Sequence, residues 1–136
     1  MSILNFLKPK KEKRLVSEND FNANLVKHYR LATESLVSLR DAEIEEEDEL
    51  KIDYFFYSDS LLKAEALQIE LQNIGYIVKN KVAPHNKSAF VISGRTTEVR
   101  MMHESLSKWV AEMCEIGYKH DSSFDTWEIV VESYIK

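Results

Sequence analysis

The stretch Lys51 to Ser58, KIDYFFYS, constrains the fold more than any other part of the chain. Ile52, Tyr54 and Phe56 alternate with Asp53, Phe55 and Tyr57, so an extended strand here carries large apolar side chains on both faces. Such a strand reads as interior, with neighbours on both edges and cover above and below. The 136 residues of the chain suffice for one domain with a real core, and the segments around this strand show how the core is built.

Ahead of it, Ser17 to Asp20 has N-cap chemistry with an acid three residues on. Apolar residues then recur at Phe21, Leu25, Tyr29, Ala32, Leu36 and Leu39, which predicts an amphipathic helix over about 17–40. Residues 41–50 read as an acidic linker. After the strand, Ser58, Asp59 and Ser60 offer N-caps to a helix with Leu61, Ala64, Leu67, Leu71 and Ile74 on one face, stopped at Gly75. Tyr76 to Val82 and Ala89 to Ser93 read as a hairpin around Pro84 to Lys87. A second core helix follows Gly94 to Thr97, with Val99, Met102, Leu106, Trp109, Met113 and Ile116 in steps of three and four, ending at Gly117. The last strand is placed at about 126–133, with Trp127, Ile129 and Val131 inward and Glu128 and Glu132 outward.

The order β-α-β-β-α-β over 51–136 is the split βαβ pattern of an α+β, ferredoxin-like sandwich: two helices on one face of a four-stranded antiparallel sheet, here with an added N-terminal helix. If Ile52, Tyr54 and Phe56 face the helices, then Phe55 and Tyr57, with Val91 and Val130, fall on the opposite face. That face is too apolar to be left bare. The expectation is that the N-terminal helix, or a second copy of the chain in a homodimer, covers it.

Charge is unevenly distributed. Residues 1–16 form a basic tail with five Lys/Arg against one Glu, whereas residues 41–50 hold seven Asp/Glu and no base, within a net charge of -5. The rest is nearly balanced, so no basic footprint for nucleic-acid phosphates is expected on the folded part. No apolar run approaches the roughly 20 residues a bilayer crossing needs. The N-terminus places apolar before basic residues, the reverse of a secretory signal, and Cys114 is the only cysteine; an intracellular, cytoplasmic protein is expected.

The chemistry-bearing residues argue against an enzyme. His28, His85, His103 and His120 show no metal-ligand spacing, and Cys114 beside Met113 reads as an inert, half-buried thiol. Asp125 and Glu128 flank Trp127, but a turn-forming Asp and an outward strand Glu account for them. Trp109 and Trp127 read as core anchors. The three glycines stand apart, so no phosphate-cradling loop exists, and neither metal nor cofactor is expected. The run Glu45, Glu46, Glu47, Asp48 and Glu49 is the candidate partner-binding element. As a mobile block it can steer toward an Arg-rich partner and compete with RNA for it, or serve only as a solubilising linker.

Three stretches resemble one family, the ribonuclease E inhibitor domain family RraB, regulator of ribonuclease activity B. They are Tyr54-Phe55-Phe56-Tyr57, the helix with Ala64, Glu65, Leu67 and Leu71 running into Gly75, Tyr76 and Val78, and the closing Phe124-Asp125-Thr126-Trp127-Glu128. The closing segment departs from the commoner Tyr-Asp-Gly-Trp-Glu at Phe124 and Thr126, which predicts a different local turn. The resemblance covers about 50–133. It implies a ferredoxin-like domain that binds ribonuclease E and restrains cleavage by protein contact, with the family-motif residues Phe55, Phe56, Tyr57, Gly75, Tyr76, Asp125, Trp127 and Glu128 mainly structural.

Three rivals stay open, one of them an enzyme, which a deep pocket with clustered titrating groups would revive. An immunity protein neutralising a basic nuclease toxin needs the same small acidic scaffold. An RNA-binding module would present sheet aromatics for stacking, and Lys87 to Val91 faintly resembles an RNA-recognition pattern. Its discriminator is a basic rim around Phe55 and Tyr57: Lys79 and Lys81 are the candidates, and Asp53, Glu128 and Glu132 oppose phosphate.

Overall fold

The computed structural model describes residues 13–131. The basic tail up to residue 12, and Glu132 with the residues after it, lie outside the described residues. Among the described residues, three helices and six strands follow in order: α1 (Glu18–Asp41), β1 (Glu49–Leu50), β2 (Ile52–Ser58), α2 (Leu61–Asn73), β3 (Ile77–Ala83), β4 (Asn86–Arg95), β5 (Val99–Arg100), α3 (His103–Lys119) and β6 (Ser123–Ile129). The main sheet has the order β3-β4-β2-β6 with every pair antiparallel, the ferredoxin-like arrangement expected from the sequence.

Strand β2 is interior, between β4 and β6, as its composition predicts. Ile52, Tyr54 and Phe56 are fully buried under the helices with Leu67, Leu71, Ile92, Leu106 and Val110. Each of these large side chains contributes about 1.5–3 kcal/mol through burial. Tyr54 also passes beneath Gly94 to donate its hydroxyl to the Ile77 carbonyl at 2.8 Å. A Cβ at Gly94 would stand 1.7 Å from that carbonyl oxygen and 2.6 Å from the hydroxyl, so only glycine fits here.

The caps are partly as expected. Ser17 and Asp20 form a full capping box on α1, and Ser60 caps α2. Gly75 takes a left-handed φ of 92° just past α2. Helix α3, however, does not end at Gly117; it runs to Lys119, and Asp121 takes the left-handed turn with φ 48°. Nor does it begin before Val99. Val99 and Arg100 pair with Leu50 and Glu49 in a small second sheet, and α3 starts only at His103.

Two further expectations are corrected. The last strand spans 123–129 rather than 126–133, with a bulge that leaves Asp125 as the extra residue between Thr126 opposite Phe55 and Phe124 opposite Phe56. Phe124 and Trp127 thereby both point to the core and Thr126 outward. More consequentially, α1 does not cover the outer face of the sheet. It packs beside α3 in the helix layer and adds Ala32, Leu36 and Leu39 to the same core. Its buried line passes through His28, while Tyr29 is exposed. Phe55 and Tyr57 consequently remain 39% and 42% exposed, so β2 is covered on one face only.

Candidate functional site

The acidic run is a fixed turn. The chain leaves α1 through Glu43 in a left-handed conformation, and Ile44 is buried in the core, its amide donating to the Leu39 carbonyl. Arg40 then reaches across the turn, donating to the carbonyls of Ile44 at 2.9 Å and Met101 at 2.6 Å. Asp48 accepts the Glu45 amide at 2.7 Å, closing the turn on itself. Pairing of Glu49 with Arg100, and burial of Leu50, hold the far side. Glu45, Glu46, Glu47 and Glu49 are left exposed on a pinned backbone, and Glu46 and Glu47 share a shallow cleft with Arg100 and Met102.

The outer face of the main sheet is the second surface. Asp53, Phe55, Ile77, Lys79, Ser93 and Arg95 line an open groove on it. Arg95 donates to both oxygens of Asp53, at 2.7 and 3.1 Å. At the other end of β2, Tyr57 and Ser123 line a second groove with Leu15, Val16, Asn24 and Lys27, where the chain enters α1.

Apart from the buried Cys114 thiol, the ionisable groups with displaced protonation are engaged in hydrogen bonds that hold the fold. His28 is fully buried between α1 and β6; its Nε2–H donates to the Phe124 carbonyl at 3.2 Å and its Nδ1 accepts from the Trp127 indole at 3.0 Å. Burial pulls its pKa below the ordinary histidine value. Burial alone would push the Asp121 carboxyl up, but the Lys63 ammonium at 2.7 Å and the Val16 and Leu15 amides overcome it and hold the group below its usual range. The Lys119 ammonium, assisted by His120, lowers Glu70. Burial raises the Tyr54 hydroxyl, and it pushes the Cys114 thiol up to about 12, which removes any thiolate nucleophile at neutral pH. No metal-ligating cluster occurs among the described residues.

The family-motif residues divide by position. Phe56 is core, the Tyr76 hydroxyl accepts from the Trp109 indole at 3.2 Å, Trp127 binds His28, and Asp125 is the bulge residue. Phe55, Tyr57 and Glu128 lie outward. Sequence reasoning missed His28, Arg40 and Asp121, polar residues whose role depends on distant partners 58 to 106 positions away.

Fold and surfaces together define a ferredoxin-like α+β domain with an extra helix built into its core. No helix among the described residues is long and apolar enough to cross a membrane. Comparison with curated proteins finds no match. The family model for regulator of ribonuclease activity B matches residues 30–129, and the chain belongs to that family. The match begins within α1, so it takes in the second half of that helix and the acidic turn.

Proposed function

We propose that the chain is a non-catalytic, cytoplasmic regulator that binds ribonuclease E and restrains its endonuclease activity by protein contact. Family membership supports regulation of ribonuclease activity as the general role. The observation that carries the finer reading is the acidic turn: four exposed glutamates on a backbone fixed by Ile44, Leu50 and Arg40. Carboxylates on a fixed backbone cost less chain freedom on binding than the same charges on a mobile linker, and they complement an Arg-rich segment, the kind of segment that otherwise holds RNA.

The test is a titration against labelled ribonuclease E at two salt concentrations, with RNA cleavage followed in parallel. Replacing Glu45, Glu46, Glu47 and Glu49 with Gln is expected to slow association and flatten its salt dependence. Absence of saturable binding, or cleavage unaffected by saturating protein, refutes the proposal.

A further inference from the structure

The outer face of the sheet repeats one arrangement twice. Strand register aligns Lys79, Ser93, Phe55 and Thr126 in one row across β3, β4, β2 and β6, and Lys81, Val91, Tyr57 and Ser123 in the next. Each row sets a lysine on the β3 edge, an aromatic ring on the central strand and a hydroxyl on the far edge. Two residues separate the rows, about 7 Å along the strands. Among the described residues neither Lys79 nor Lys81 enters a salt bridge. The flanking row is Ile77, Arg95, Asp53 and Glu128; there Asp53 is engaged by Arg95 and Glu128 stands on β6, away from the lysines, while Asp20, in the groove beside Tyr57 and Ser123, accepts the Ser17 amide.

We propose that this face binds a short single-stranded RNA segment directly, two successive bases stacking on Phe55 and Tyr57 while their phosphates run along Lys79 and Lys81. Half-exposed rings on an open antiparallel sheet supply stacking that tolerates any base. The two lysines supply the anion contacts at the same repeat, and Ser93, Thr126 and Ser123 offer hydroxyls to sugars or base edges. An apolar protein partner fits less well, because docking it would bury two ammonium groups without carboxylate partners. Two phosphate contacts make a weak site with a shallow salt dependence, a slope of about -1.4 in log K against log salt for a single strand.

The experiment titrates the purified chain alone with fluorescein-labelled hexauridylate, read by anisotropy and by amide NMR shifts. Since no ribonuclease is present, the outcome does not depend on the regulatory function proposed above. Shifts are expected on β2, β3 and β4 around Phe55, Tyr57, Lys79 and Lys81. Phe55→Ala and Tyr57→Ala should each weaken binding at least about fivefold. Lys79→Gln with Lys81→Gln should remove most of the salt slope. All four side chains are exposed, so the variants should keep the parent spectrum elsewhere. No perturbation at millimolar oligonucleotide, perturbation confined to other surfaces, or affinity unchanged in the double alanine variant overturns the proposal. So does occupation of this face by ribonuclease E but not by the oligonucleotide.

Discussion

Replacing His28 tests how α1 is locked to the sheet. Its ring lies 4.5 Å from the Phe124 ring, centroid to centroid, and it is the acceptor for the Trp127 indole N–H. His28→Phe keeps an aromatic of similar size but strands that N–H. The Phe124 carbonyl retains a donor in Asn24 at 2.8 Å, so the loss falls on the indole. A buried donor left unpaired costs about 1–3 kcal/mol, a large share of a total stability of about 5–15 kcal/mol. With a urea m-value of about 2 kcal/mol/M, the midpoint should fall by about 1 M. Tryptophan fluorescence during urea unfolding reads this directly. The same bond makes stability pH-dependent. Protonating Nδ1 abolishes the acceptor, and burial lowers the folded pKa below the unfolded value of 6.5. The unfolded chain therefore binds more protons, so the contribution is complete above about pH 6.5 and is lost as pH falls from there toward the folded pKa, by up to about 1.4 kcal/mol per pH unit. Lys27 adds to the depression, while the Phe124 carbonyl and Asp125 oppose it. His28→Phe should lack this acid slope. In a double-mutant cycle with Trp127→Phe the two changes should couple by more than about 0.5 kcal/mol. Additive losses, or an identical slope in the variant, would refute the bond as the lock.

Asp121→Asn removes the charge that Lys63 and Arg14 share and weakens acceptance from the Leu15 and Val16 amides. A loss of about 1–3 kcal/mol is expected, with faster hydrogen exchange at Leu15 and Val16 as the local readout. Because the folded Asp121 pKa lies below 3.8, the wild-type contribution is full above about pH 4 and is lost as pH falls through the folded pKa; the variant should not show that part of the acid transition. Gly94→Ala places a Cβ on the Ile77 carbonyl and the Tyr54 hydroxyl, so it should separate β3 from β4 and cost more than about 3 kcal/mol by thermal unfolding. An unfolding midpoint within error of wild type would show that β3 can shift freely.

Apolar periodicity was a sufficient guide to the layers and failed wherever one polar residue decides the packing. Ile52, Tyr54 and Phe56 alternate cleanly, and Leu67, Leu71, Leu106 and Val110 supply the facing helix stripes, so the βαββαβ order and the covered face of β2 follow from pattern alone. The position of α1 does not. Its apolar stripe fits either face of the sheet, and the polar contacts that tie it to the helix-layer side, from His28 to Phe124 and Trp127, meet a strand whose inward residues are set by the bulge at Asp125. The start of α3 was obscured for a related reason: Val99 and Met102 fit a helical step, yet a two-residue pairing with Glu49 and Leu50 claims Val99 first. That pairing is too short to leave a sequence signal, and it is also what fixes the acidic run as a turn. Five successive acids looked like a solvated linker because repulsion between neighbours was the only interaction the sequence displayed. The opposing forces come from single residues on either side, Ile44 and Leu50 in the core and Arg40 across the turn. The paired rows on the outer face were equally hidden, since Lys79 and Phe55 are 24 positions apart and meet only through the register of β4 between them. Surface chemistry in a sheet is written across the strands, and a sequence is read along them.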